Sequence, residues 1–272
     1  VKRTRKLPER WGELTAEQFV AAVKLWSGAI AVDEFLSVVL GIKAKEVAMM
    51  DDFQKWVLAR ETDFMQDINR PHNAFFLQQL PGSELKAPGV RLKGCTLQQY
   101  MTVDTFFSQY TTELSRMTLQ KGEVTGDLTI AAEEYLDNFI AALYKKEDEV
   151  YCMAEASTLQ VRRENVHLII LEEHLEVVRT LDKSVKQAIV LNYVLVRSWL
   201  CKAFPHLFPE AEEREVNNKA RVPKPTNWLE VFDNFVGDNV AEMEKYQAMQ
   251  ATDAFRIMNR RIREAKKRSL VK

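Results

Sequence analysis

Two phrases in this chain carry a signal that only the start of a helix satisfies. In Leu14-Thr15-Ala16-Glu17-Gln18-Phe19 the Thr15 hydroxyl is placed to accept from an early backbone N–H, while Gln18 reaches back to the cap. The same order of residues returns in Cys95-Thr96-Leu97-Gln98-Gln99-Tyr100. Behind the first phrase, Phe19, Ala22, Val23 and Trp26 recur at i, i+3, i+4 and i+7; behind the second, Val103, Phe106, Phe107 and Tyr110 continue a stripe. Helical spacing of this kind does not suit a sheet, whose side chains alternate with a period of two. The expectation is a mainly α protein, a multi-helix orthogonal bundle.

Further helical patterns run over Val32–Leu40 and Asp51–Ile68, the second with Phe53, Trp56, Val57, Phe64 and Ile68 largely on one side. Ile130–Tyr144 carries Ala131, Tyr135, Phe139, Ala142 and Leu143 at mixed spacings of three and four. Leu159–Leu181 and Ser184–Phe204 read as the two longest helices, and the latter, apolar nearly all round its first half, as the most buried. Its predicted inward stripe is Ile189, Tyr193, Val196 and Leu200, and Pro205 and Pro209 stop it. At most one small β-ribbon is expected, near residues 75–92, where Pro81-Gly82 and Pro88-Gly89 interrupt the pattern. Met117–Thr129, with Gly122 and Gly126, reads as an exposed loop. Glu210–Pro225 is polar and ends in Val222-Pro223-Lys224-Pro225, the best linker candidate; Trp228–Val236 and Val240–Ile262 follow as a last pair of helices. The expected organisation is a helical main domain over 1–209, a linker over 210–225 and a C-terminal helical pair over 226–272.

Composition narrows the class of function. Against 38 Lys+Arg stand 39 Asp+Glu, a net charge of −1, which excludes a global polycation built for nucleic acid and a polyanion built for metal buffering. Cys95, Cys152 and Cys201 are widely separated with no CxxC pair, as expected of reduced thiols and not of a disulfide framework. The most apolar run, Ala188–Leu200, is broken by Asn192, Tyr193, Arg197 and Ser198, well short of the roughly 20 residues that span a bilayer. The basic start Val1-Lys2-Arg3-Thr4-Arg5-Lys6 is followed by Leu7-Pro8-Glu9-Arg10 where a signal peptide would place its apolar core. A cytosolic, soluble protein with no membrane partner is expected.

The templates of catalysis fail in turn. GxGxxG, GxxxxGK[ST] and GxSxG are absent. His167 and His174 stand seven apart, with Glu173 beside the second, but without the HExxH spacing of a zinc helix; they read as a surface-facing pair. Acid pairs occur at Asp51-Asp52, Glu133-Glu134, Glu172-Glu173 and Glu212-Glu213. Adjacent acids on a helix diverge by about 100° and one faces water, so these read as surface charges, and Asp51-Asp52 as charge at a helix start. Cys201 reads as a small core residue. Trp11, Trp26, Trp56, Trp199 and Trp228, and Met49-Met50 with Met243 and Met249, read as core filling. No catalytic residue, metal or cofactor is expected.

Charge asymmetry remains. From Arg256 onward the chain has Arg256, Arg260, Arg261, Arg263, Lys266, Lys267, Arg268 and Lys272 against Glu264 alone. At the other end Lys2, Arg3, Arg5, Lys6 and Arg10 face Glu9. A basic helix end complements its own dipole, contacts phosphates or meets an acidic protein. Aromatics of the kind that stack on single strands are absent after Phe255. The expected partner-binding residues are Arg256, Arg260, Arg261, Arg263, Lys266, Lys267 and Arg268, on a projecting helix that docks on an acidic partner such as another copy of the chain. Phe255, Ile257, Met258 and Ile262 would supply its apolar side.

Four islands of the sequence carry a resemblance. Leu7-Pro8-Glu9-Arg10-Trp11-Gly12-Glu13-Leu14-Thr15-Ala16-Glu17-Gln18-Phe19 resembles the LPxxWxELTxxQF start of morphogenesis proteins from phages and prophages of Bacteroidetes. Leu92–Tyr100 with Asp104, Phe139–Tyr144, and Ala188–Tyr193 with Arg197 and Phe204-Pro205-His206-Leu207-Phe208 are similar to further segments of that group. The stretches Met117–Thr129 and Lys145–Glu149 depart from it. The resemblance implies a non-enzymatic, tail assembly chaperone-like factor in the bacterial host cytoplasm, holding the tape measure protein through helix-mediated contacts. The alternatives are a virion component, head–tail or tail-associated, and a nucleic-acid-binding packaging or regulatory factor using the basic tail. The resemblance supplies no catalytic residues.

Overall fold

The structure is a computed structural model and describes residues 7–67, 70–119, 126–147, 172–209, 226–237 and 239–270. Among these residues it is mainly α: eleven α-helices, a few 3-10 turns and no strand. The chain forms two compact units, one from 1–77 and 182–202, the other from 78–181 and 203–272. The span expected as a main domain, 1–209, therefore contributes to both. The expected linker, 210–225, lies outside the described residues, as do His167, Glu212-Glu213, Cys152, the basic residues 2–6 and most of the helix expected over 159–181.

In the first unit, α1 (Ala16–Trp26) starts on the capping box seen in the sequence: Thr15 accepts from the Gln18 N–H, and the Gln18 side chain accepts from the Thr15 N–H. The same Gln18 amide donates to Val39 O at 3.0 Å, tying the cap of α1 to the end of α2 (Val32–Leu40). Gly41 closes α2 in the left-handed conformation at φ 59° that glycine adopts without a Cβ penalty. After the short α3 (Ala44–Ala48), α4 (Asp52–Glu61) begins on a second capping box, Asp51 with Gln54. The core gathers Trp11, Phe19, Phe35, Leu36, Val47 and Phe64, with Trp11 edge-on to Phe19 and to Phe64 at 5.8 Å each. The helix α8 (Lys183–Ala203) returns to this unit and adds Ala188 and Leu195. Asn192 of α8 holds the 74–76 segment, accepting from the Phe76 N–H at 2.7 Å and donating to Ala74 O at 2.9 Å. The expected stripe Ile189, Tyr193, Val196 and Leu200 is buried throughout.

In the second unit, α5 (Leu97–Leu119) and α6 (Gly126–Leu143) pack along each other. They run antiparallel, because Gln99 in the first turn of α5 donates to Ala142 O and Leu143 O at the end of α6. Thr96 caps α5 through the Gln99 N–H, but the Gln99 amide crosses to α6, so only half of the expected capping box forms. The loop expected over 117–129 is shorter, since α5 continues to Leu119 and α6 begins at Gly126. Of the expected 159–181 helix, α7 (Glu172–Arg179) is described. Tyr100 centres an aromatic cluster with Phe208, Phe255 and Trp228, the last at the start of α9 (Trp228–Val236). The Trp228 indole N–H donates to the buried Asp104 carboxylate at 2.8 Å. Around residues 75–92 the chain makes isolated antiparallel bridges, Gln79 with Lys86 and Lys86 with Lys145, in place of a ribbon.

The single helix expected over Val240–Ile262 is interrupted. A 3-10 turn and α10 (Met243–Gln247) precede a break, and α11 (Ala251–Leu270) follows. The break is made by pairing with a distant segment: Leu97 N–H donates to Met249 O, Ala251 N–H to Cys95 O, and the Gln250 amide to Leu92 O at 2.7 Å. Those bonds draw the backbone at 249–250 out of the helical ladder.

Candidate partner-binding surfaces

The first candidate surface is built on a helix set in an unexpected direction. Sequence periodicity turns Phe53, Trp56 and Val57 of α4 inward, but Phe53 is 70% exposed and Trp56 55%, and no residue of α4 is fully buried. The inward side is the opposite one, carrying Lys55, Leu58 and Thr62 at spacings of three and four. Lys55 pairs with Asp33 of α2 at 2.8 Å, Leu58 packs on the core, and Thr62 is buried with its hydroxyl donating to Ala59 O. An ion pair and a small buried hydroxyl thus seat α4, leaving the apolar stripe turned out. Phe53 and Trp56 stack on each other at 6.1 Å, and the Arg60 guanidinium lies 5.3 Å from the Trp56 ring centre.

Across from Trp56, Trp26 ends α1 at 44% exposure and Val32 opens α2 at 44%. Trp26 was expected in the core with Phe19, Ala22 and Val23; those three are buried, while Trp26 sits at the helix end and borders a cleft. The cleft has a volume of about 390 Å³ and is walled by α1, α2 and α4, with Phe35 and Met65 at its floor. Its polar wall groups are engaged within the wall: the Gln66 amide donates to Asp63, Thr62 to Ala59 O, and Arg60 sits over Trp56. Met49, also expected in the core, is 87% exposed on the approach to α4. What the arrangement can do chemically is bury apolar side chains brought by something else.

The second candidate surface is the end of α11. Its first half belongs to the fold: Ala251, Ala254, Phe255 and Met258 are buried, and Phe255 meets Tyr100, Phe204 and Phe208. Phe255 and Met258, expected as the docking side, are therefore already occupied. Arg256 pairs with Asp253 at 3.1 Å, and Arg261 donates to Phe235 O at 2.7 Å with its guanidinium over the Phe235 ring. Arg260, Arg263, Lys266, Lys267 and Arg268 are exposed and make no ion pair among the described residues.

The other residues considered for chemistry are placed as follows. His174 is buried, not surface-facing, with Nδ1 3.4 Å from Ala141 O. Glu173 pairs with Lys146 at 2.9 Å, and that hydrogen bond holds its carboxyl below the usual range; Glu172 pairs with Arg179 at 2.7 Å. Asp51 is an N-cap, and Glu133 and Glu134 are exposed. Cys201 is half-buried, whereas Cys95 is fully buried and desolvation pushes its thiol up to about 12, which keeps it from thiolate chemistry at neutral pH. Among the described residues no three His, Cys, Asp or Glu side chains are grouped to hold a metal, and no helix is long and apolar enough to cross a membrane. Trp11 and Trp228 are core residues as expected, and Trp199 is half-buried.

No protein-family model, curated protein or solved structure matches the chain. The reading of its role therefore rests on these surfaces and on the sequence itself.

The sequence contained one usable sign of the cleft. The segment Asp52–Thr62 has Phe53, Trp56 and Val57 on one side and Lys55, Leu58 and Thr62 on the other, so either face could be seated. Choosing between them needs Asp33, a partner more than twenty residues away that periodicity does not reveal.

Proposed function

We propose that this chain is a non-enzymatic helix-binding protein and, on the resemblance of its segments to Bacteroidetes phage morphogenesis proteins, a tail assembly factor whose client is the tape measure protein. The observation that carries the reading is the outward-facing stripe Phe53–Trp56 opposite Trp26 and Val32. Tryptophan in a pocket that a partner can dehydrate is among the residues enriched as interface anchors. A cleft of about 390 Å³ accepts the side chains from one face of a helix, not the helix whole. The rim is charged but balanced, with Arg60 and Asp63 on the wall and the Asp33–Lys55 pair behind it, which suits an amphipathic ligand over a strongly charged one. A tape measure is a long, apolar-faced helix that aggregates when bare, and covering its stripe in short stretches keeps it soluble until the tail tube is built around it.

The test is co-expression with the tape measure protein of the same genome, comparing the wild type with a W26S/W56S double variant. Neither tryptophan belongs to the buried core, so the variant should stay folded with a melting temperature close to that of the wild type. The wild type is expected to hold the tape measure protein in the soluble fraction and co-purify with it, and the variant to lose both. Retention of an equally soluble complex by the variant, or failure of the wild type to form one, rejects the reading.

A further inference from the structure

We infer that the free end of α11 docks on the outer face of α6 in a second copy of this chain. The inference is independent of the cleft and of its client. Arg260, Arg263 and Lys267 are spaced by three and four and share one face of the helix. At 3.6 residues per turn that face lies opposite the one that buries Ala254, Phe255 and Met258, so the unit that holds the helix cannot also reach these cations. Glu264 is the single acid among them.

The rest of the chain supplies the complement. Eight basic residues and one acid over 256–272, in a chain of net charge −1, leave the other 255 residues at −8. On α6, Ile130, Glu133 and Glu134 follow at i, i+3 and i+4, all exposed, with Ile130 at 57%. Neither glutamate makes an ion pair among the described residues, and the helix packs inward through Ala132, Phe139 and Leu143 instead. The acidic, exposed face of α6 is thus opposite in charge to the basic, exposed face of α11. Two different patches meet in this contact, so it is heterologous: each copy offers one tail and one face, and association proceeds to a closed ring or an open chain.

Charge exchange tests it on the full chain. Sedimentation velocity is expected to show a mass above the 31.5 kDa of one chain that rises with concentration at low salt and falls towards one chain at high salt. The variant R260E/R263E/K267E should be monomeric, and so should E133K/E134K, each with the wild-type melting temperature. An equimolar mixture of the two should associate again, because each variant's tail then meets a face of opposite sign. A wild type that stays monomeric at low salt overturns the proposal, as does a tail variant that keeps the wild-type mass. A mixture that fails to associate overturns the assignment to α6. If the wild type is monomeric yet retains a short random-sequence DNA duplex that R260E/R263E/K267E releases, the face belongs to nucleic acid and the proposal falls.

Discussion

Asn192 and His72 carry the clearest consequences for single residues. Asn192 is buried at 1% exposure, and its one amide satisfies both a backbone donor, Phe76 N–H, and a backbone acceptor, Ala74 O. Asn192→Leu keeps the branching at Cγ but adds bulk and leaves both groups without a partner, and should cost at least about 2–3 kcal/mol in urea unfolding; a loss within about 0.5 kcal/mol would show that the two groups find other partners. His72 stacks on Phe76 at 4.5 Å, and burial lowers its pKa from the ordinary 6.5. The folded state therefore prefers the neutral ring. Its contribution is complete above 6.5 and is lost as the pH falls below that value towards the lower folded pKa, where the unfolded chain alone takes up the proton. Melting temperatures of the wild type and His72→Gln should accordingly converge as the pH is lowered from neutral; parallel curves would remove His72 from the account. The sequence phrase around Asn192 stood out by resemblance, but its role could not be read there, because its partners lie more than a hundred residues away.

Helix starts proved the most readable feature of the elements, and helix orientation the least. Thr15 and Asp51 cap their helices as local chemistry requires, and Thr15→Ala should cost about 1 kcal/mol, measured by thermal or urea unfolding. Periodicity also finds the buried stripe of α8, where Ile189, Tyr193, Val196 and Leu200 recur at spacings of four, three and four. It fails for α4, which packs through Leu58 and Thr62 with the Lys55–Asp33 pair beside them, and for the join of α10 and α11, which long-range bonds from 92–97 interrupt. The division of α11 into a buried half and a free half leads to a paired truncation experiment. Ending the chain after Ile262 removes, among the described residues, only the exposed 263–269 stretch and should leave the melting temperature nearly unchanged. Ending it after Asp253 removes Phe255 and Met258 from the core and should cost at least the roughly 3–5 kcal/mol of an aromatic truncation. Equal losses from both would mean that the last turns stabilise the fold.

At the scale of the molecule, the chain enters the first unit twice, and α8 joins a core whose other members precede residue 78. The helical class followed from capping phrases and spacing, whereas the two units did not, since nothing local in 182–202 says which earlier helices it meets. Cooperative opening should respect space and not chain order. In hydrogen exchange under mild denaturant, α8 amides are expected to exchange together with those of α1 and α2. Exchange of α8 in step with α5 and α6 would contradict the division.

The uneven placement of the tryptophans has an optical consequence. Trp11 and Trp228 are buried, whereas Trp26 and Trp56 stand in water on either side of one cleft. Their indoles should emit at the red edge of the protein's fluorescence and be the first quenched by acrylamide, and a ligand seated between them should shift the emission to the blue and shield it. The cleft thus reports its own occupancy without a label, and W26S/W56S should remove most of the quenchable fraction, leaving the half-buried Trp199 and the buried Trp11 and Trp228.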